Sequence, residues 1–130
     1  MNKYQQDVED FHRACDLPVG EYIQTLSPER TELRRRLIKE ESKEMRDELK
    51  RNNITGIIDG ACDTIVVVLG TLVEMGVDLD PFWDEVHRTN MAKKDGPVRE
   101  DGKKLKPEGW LPPDLKRVLK DQLTNEKETA

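Results

Sequence analysis

The segment between Pro28 and Pro81 contains no proline, and signals for helix starts and stops cluster at both of its edges. Ser27-Pro28-Glu29 has the order N-cap, first helical position and acidic first turn, which satisfies or complements the free N–H groups at a helix start. An Asn-Asn pair at 52–53 interrupts the segment. The sequence therefore predicts two long central helices, the first over about 28–51 and the second ending near Gly76.

Apolar residues recur at steps of three and four through the second of these segments, which is typical of a helix. They are Ile54, Ile57, Ile58, Ala61, Cys62, Ile65, Val68, Leu69, Leu72 and Val73. The β-branched residues within 64–68 also suit a buried strand, which is the alternative for this stretch. The periodicity extends well before and after it, so a helix is favoured.

Shorter elements flank the two long helices. Val8, Phe11 and Cys15 share one face of a first helix, and Asp80-Pro81 repeats the cap-plus-proline signature at the start of a fourth helix that ends near Lys93. We expect a charged loop over 94–111, a C-terminal helix over 112–124 and a frayed tail over 125–130. The prediction is a single all-α domain over residues 1–130, a helical bundle.

The chain is 35% hydrophobic and 5% aromatic, so one copy has a thin core. We therefore expect the two central helices to pair with the same helices of another subunit, which would complete the core by homo-oligomerisation.

Charge and cysteine content exclude several classes of protein. A net charge of −5 gives no general attraction for a polynucleotide or an anionic membrane. Cys15 and Cys62 lack the spacing of a zinc site, and a reduced, cytoplasmic setting fits them best. The longest apolar run, 65–73, is too short to span a bilayer, so we expect no membrane segment.

Five acids mark a candidate site. Glu40, Glu41 and Glu44 crowd together on the first long helix, while Asp59 and Asp63 share one face of the second. In an antiparallel hairpin the two sets would face each other. A solvated charged surface is the alternative for the glutamates, because lysines and an arginine lie beside them. Buried aspartates need cations, and a cluster of carboxylates without thiolates suits Mg²⁺ or Mn²⁺, which act on substrate phosphates.

Four ordered motifs carry a resemblance to a known family. They are EExxE at 40–44, DGACDTIVVVLGTLVEMGVDL at 59–79, FWDEVHRTNMAKKDG at 82–96 and DGKKLKPEGWLPPDL at 101–115. Together they make the chain similar to the MazG-like, all-α nucleoside triphosphate pyrophosphohydrolases, especially the branch similar to phosphoribosyl-ATP pyrophosphohydrolase. The resemblance implies hydrolysis of a nucleotide substrate to the monophosphate and pyrophosphate, and a homodimer or homotetramer.

The resemblance also implies roles for individual residues. Glu41, Glu44 and Asp63 match the family's metal-binding acids, whereas Gly60 stands where the family has a glutamate, which leaves Asp59 as the nearest substitute or as an outer acid. Glu40 is the candidate base that activates the attacking water. The resemblance implies substrate contacts at Asn90 and Lys93 and a base pocket at His12, and Lys104, a cation of the charged loop, is a further expected contact. A core histidine is the alternative for His12.

Two other classes of protein remain open on the residues. Glu9-x-x-His12 and Asp84-x-x-His87 are acid-x-x-His pairs, of the kind that build a di-iron carboxylate bundle. A non-catalytic helical module that binds nucleotides or cations is the other, because Gly60 removes an expected ligand.

Overall fold

The computed structural model describes residues 1–129, and every regular element in that range is a helix. The helices are α1 (Lys3–Ala14), α2 (Pro28–Arg51), α3 (Ile54–Met75), α4 (Leu79–Met91) and α5 (Leu115–Thr129). The predicted all-α class is confirmed, and the β-branched stretch 64–68 is helical rather than a strand. The chain divides into two compact units after Asp78, and the assignment of the whole chain to one domain stays a prediction.

The ends of α2 form as their residues predict. The Ser27 hydroxyl accepts a hydrogen bond from the Arg30 N–H at 3.2 Å, and Pro28 occupies the first turn. At the other end Asn52 adopts the left-handed conformation with φ of 54°, which asparagine tolerates better than most residues. The chain reverses there, and α3 packs along α2 as an antiparallel hairpin.

A buried ion cluster joins the far ends of this hairpin. The Glu74 side chain is 1% exposed and accepts two hydrogen bonds from the Arg30 guanidinium, both at 2.8 Å. Arg34 donates to the same carboxylate at 3.1 Å, to the Thr71 hydroxyl at 3.1 Å and to the Val67 carbonyl at 2.7 Å. Buried charges persist when they are paired and hydrogen-bonded, so this cluster fixes the register of α2 against α3.

Helix α3 leaves one apolar face exposed. Ile54, Ile58, Ile65 and Val68 are each more than two-fifths exposed. Exposed apolar patches of this kind are typical of interaction surfaces. The predicted homo-oligomer stays a prediction.

By length and composition alone, α3 is also able to cross a membrane. The expectation of no membrane segment considered only the run 65–73, whereas the helix extends over Ile54–Met75. A single such helix is weak evidence, since core helices of soluble proteins meet the same criterion. Here α3 packs along α2 and carries Asp63 and the buried Glu74.

In the second unit the helix bounds differ from those predicted. Helix α5 begins at Leu115 rather than 112, because Pro112-Pro113 precede Asp114, whose carboxylate accepts a hydrogen bond from the Arg117 N–H at 3.2 Å. The prediction of a frayed tail is wrong over 125–129, where the helix continues. These residues include no glycine or proline that would interrupt it. Ala130 lies outside the described residues.

Glu85 holds α4 and α5 together. Its buried carboxylate accepts hydrogen bonds from the Arg88 guanidinium at 2.6 and 3.1 Å and from the Asp114 N–H at 3.1 Å, and it lies 3.4 Å from Arg117. The Arg88 hydrogen bonds, followed by the Asp114 N–H, lower the pKa of Glu85 to about 2. The ionised carboxylate is therefore part of the packing between these helices.

We expect Glu85→Gln to lower the melting temperature at neutral pH and to have no such effect in strong acid. A depressed folded-state pKa means that the carboxylate contributes stability above its ordinary value near 4.5 and loses that contribution as the pH falls towards about 2. Thermal melts of both proteins between pH 7 and pH 2 measure the difference. A difference that stayed constant across this window would contradict the role of the charge.

Candidate metal centre

Three carboxylates from two helices converge on one point of the first unit. Glu41 and Glu44 lie one turn apart on α2, and Asp63 faces them from α3. Each contributes an oxygen that lies within 4.8 Å of the other two. Among residues 1–129 this is the one group of three or more potential metal ligands, and it includes no histidine.

Among the described residues, none of the ion pairs involves Glu41, Glu44 or Asp63. One oxygen of Glu41, Oε2, is buried and has no hydrogen-bond partner among the described residues. Burial is the largest cause of a raised pKa at Glu41, followed by the negative charges of Glu44 and Asp63. A buried acceptor surrounded by like charge indicates a place that a cation would stabilise.

Two of the neighbouring basic side chains make their hydrogen bonds elsewhere. Lys43 pairs with Asp47 at 2.8 Å, and the Arg46 guanidinium donates to the Ser42 carbonyl at 3.3 Å. These two cations are therefore not paired with Glu41, whose Oε2 has no hydrogen-bond partner among the described residues. Three oxygen donors without sulfur or nitrogen fit a hard divalent ion such as Mg²⁺ or Mn²⁺.

Gly60 has a packing role that the sequence interpretation missed. A Cβ atom at this buried position would lie 2.8 Å from the Met45 Cα and 3.0 Å from the Met45 Cβ. The glutamate expected there from the resemblance would collide with the backbone of α2. An isolated glycine inside a helical pattern is the sequence signal for such close packing.

Asp59 lies outside the three-carboxylate group. It is exposed and lines, together with Glu44, an adjoining surface pocket of about 230 Å³. Its role as a metal ligand in place of the missing glutamate stays a prediction.

The comparison with protein families bears directly on this site. The family model described as phosphoribosyl-ATP pyrophosphohydrolase matches residues 8–90, which is more than half of the chain and includes all three carboxylates. The chain belongs to the phosphoribosyl-ATP pyrophosphohydrolase family. Membership points to a nucleotide pyrophosphohydrolase. A comparison with curated proteins found no match.

Within the matched region, His12 is a buried residue of α1. Its Nδ1 donates to the Pro18 carbonyl at 2.9 Å, and a Cβ at Gly70 would approach its Nε2 to 2.9 Å. At 2% exposure it is packed in the core of the first unit, which favours the core interpretation over a base pocket. The group of potential metal ligands found within residues 1–129 contains neither His12 nor His87, which the di-iron alternative would require.

The remaining expected residues lie at the surface or nearly so. Glu40 is exposed on α2, and its charge contributes to the raised pKa of Glu41, which places it close to the carboxylate group. In the second unit, the Lys93 ammonium donates to the Asn90 side-chain oxygen at 3.1 Å. Lys104 is exposed and pairs with Val98 in an isolated antiparallel bridge. Their roles as base and substrate contacts stay predictions.

We expect Gly60→Ala to destabilise this family member by about 1–3 kcal/mol, because the added methyl meets backbone atoms of Met45 that cannot rotate away. Metal affinity should also fall, because the collision would move α2 away from α3 and each of these helices supplies ligands. Urea unfolding and titration with Mn²⁺ measure the two effects.

Gly56→Ala is the matched control on the same helix. There the added methyl would meet the side-chain ends of Glu48 and Asn53, which can move. Equal destabilisation by the two substitutions would contradict a specific close contact at Gly60.

Proposed function

We propose that the protein is a Mg²⁺-dependent nucleotide pyrophosphohydrolase that cleaves a nucleoside triphosphate or phosphoribosyl-ATP to the corresponding monophosphate and pyrophosphate. The observation that supports the metal dependence is the buried, unpartnered Oε2 of Glu41 beside Glu44 and Asp63. Mn²⁺ has the same preference for oxygen ligands and is an alternative ion.

Glu41, Glu44 and Asp63 would hold the ion through their carboxylate oxygens. A divalent ion bound there supplies a lowered pKa for the attacking water and neutralises charge on phosphate oxygens. When ionised, these acids carry negative charge and accept hydrogen bonds only. Without the ion they would therefore repel a polyphosphate. The same acids that bind the metal therefore make substrate binding depend on it.

Glu40 is the proposed general base. It accepts the proton of the water that attacks phosphorus, and the bond to the pyrophosphate leaving group breaks. Its exposed carboxylate, one residue from Glu41, is free to turn towards that water. Asn90, Lys93 and Lys104 are the proposed phosphate contacts, with an amide to donate and two ammonium groups to offset negative charge.

We also propose that the enzyme is a cytoplasmic homodimer or homotetramer. The exposed isoleucines of α3 support this assembly, because pairing with a second copy would remove them from water.

A screen of nucleoside triphosphates and phosphoribosyl-ATP, with detection of released pyrophosphate, tests the activity. We expect one or more substrates to turn over with Mg²⁺ or Mn²⁺ and none to turn over with excess chelator. Absence of pyrophosphate release from every substrate with both ions would overturn the proposal.

A non-catalytic nucleotide-binding module is the second candidate, and Gly60 is the observation that favours it. The close contact with Met45 leaves no room for the fourth acid that the resemblance implies. Nucleotide binding by calorimetry, combined with no turnover in the screen, would identify this class.

A further inference from the structure

Trp110 is fixed to α4 by its indole N–H. The Nε1 group donates to the Thr89 carbonyl at 2.7 Å, and Thr89 is 2% exposed. A buried acceptor on a helix determines how the ring is oriented. Trp110 is therefore a rigid part of the second unit, even though it belongs to a loop.

Two ammonium groups contact this one ring. The Nζ atoms of Lys93 and Lys106 lie 5.0 and 4.9 Å from its centroid. Lys93 also donates to the Asn90 side-chain oxygen at 3.1 Å. Two contacts, one with the ring and one with Asn90, therefore hold its ammonium group in place. An indole face attracts cations at these distances.

The loop after α4 brings Lys106 to the ring. The Gly96 N–H donates to the Lys93 carbonyl at 2.9 Å, and the Leu105 N–H donates to the Pro97 carbonyl at 2.8 Å. A Cβ at Gly96 would collide with the Leu105 carbonyl oxygen and approach the Pro107 nitrogen to 3.0 Å. The glycine thus permits the returning segment to pass close to the end of α4.

Within the described residues 79–129, neither Lys93 nor Lys106 forms an ion pair with a carboxylate. The ion pairs of this region join the guanidinium groups of Arg88, Arg99 and Arg117 to carboxylates. Two like charges that contact one ring repel each other, and the indole compensates only part of that cost. A bound anion would supply the missing negative charge.

We propose that Lys93 and Lys106, positioned by Trp110, form a clamp for a phosphate group. That this phosphate belongs to the nucleotide substrate rests on the proposed function. A phosphate contact by Lys93 was already expected from the resemblance. The roles of Lys106 as the second phosphate contact and of Trp110 as the positioning residue are inferred from the contacts of both lysines with the ring. Lysine ammonium groups bind phosphate as point charges, and a ring that holds two of them in place reduces the ordering cost of binding.

The test uses the full chain carrying Trp83→Phe, which leaves Trp110 as its one tryptophan. Inorganic pyrophosphate is titrated in the presence of chelator, with the fluorescence of Trp110 as the signal. Lys106→Gln is expected to weaken binding about tenfold, the effect of losing one charged contact. The exposed Lys120 on α5 gives the matched control, Lys120→Gln, which should bind as the parent does.

Trp110 is tested separately by calorimetry with pyrophosphate. Trp110→Leu should weaken binding, and Trp110→Phe should restore part of it because an aromatic face is retained. Equal affinity for pyrophosphate in the parent and Lys106→Gln proteins would overturn the clamp, as would equal affinity in Trp110→Leu and the wild type.

Turnover separates this proposal from the proposed function. With an active substrate, Lys106→Gln should raise KM about tenfold and leave kcat nearly unchanged. If the wild type hydrolyses no nucleotide but binds pyrophosphate through Lys106, the clamp is supported and the proposed function is overturned. If turnover is normal and Lys106→Gln alters neither KM nor pyrophosphate affinity, the clamp is overturned and the enzyme function remains.

Discussion

Glu41→Gln and Glu44→Gln are each expected to reduce metal-dependent pyrophosphate release by more than about a hundredfold, since each removes one charged ligand from a group of three. The metal-free proteins should nevertheless melt at or above the wild-type temperature at pH 7. The pKa of Glu41 is raised by burial and by its acidic neighbours, so the folded state loses stability as the pH rises through it. A neutral amide avoids that cost.

Pyrophosphate release and metal-free thermal melts measure the two parts of this prediction. Glu32→Gln changes an exposed carboxylate on the same helix and should leave activity unchanged. Wild-type activity in both Glu41→Gln and Glu44→Gln would refute their assignment as ligands. A large fall in melting temperature would instead show that the acids are structural.

Glu74→Ala is expected to cost about 3–5 kcal/mol of unfolding free energy, the largest stability effect of any substitution considered for this chain. The Arg34 side chain is only 7% exposed, so loss of the carboxylate leaves its guanidinium buried beside an empty position. Arg30 is one-third exposed and can turn to water. The cost therefore arises mainly at Arg34.

Urea denaturation at neutral pH measures this effect, with Glu32→Ala as the control for loss of an exposed glutamate from an ion pair. The pair of Glu32 with Arg35 is largely exposed, so its loss should cost under about 1 kcal/mol. A Glu74→Ala protein as stable as this control would show that the buried cluster contributes little. Partial recovery in Glu74→Ala combined with Arg34→Leu would locate the cost at the unpaired guanidinium.

The helix pattern could be predicted because its determinants are local. Ser27 with Pro28 starts α2, and Asn52 ends it through a left-handed conformation that few residues adopt readily. The facing acids also follow from local rules, because an antiparallel hairpin about residues 52–53 places Asp63 opposite the first long helix. This part of the site needs only helix geometry and the position of the turn.

The rest of the site depends on distances between helices, which the sequence does not contain. Gly60 reads as a lost ligand until its contact with Met45 is known. The sequence places Trp110 only within a charged loop, whereas the structure shows two lysines at its ring. In both cases the decisive neighbour is distant in sequence or lies across a loop, and the spacing of residues along one helix gives no information about it.

The contact between Gly60 and Met45 also determines how a fourth ligand could be engineered into this protein. Trimming the Met45 side chain would not make room, because its Cα and nitrogen are among the atoms that crowd position 60. A second substitution at Met45 would therefore not remove the collision that Gly60→Glu creates. Added coordinating groups belong instead on the open side of the hairpin, for example in the pocket beside Glu44, where a longer acid at Asp59 could grow into solvent-filled space without separating the helices.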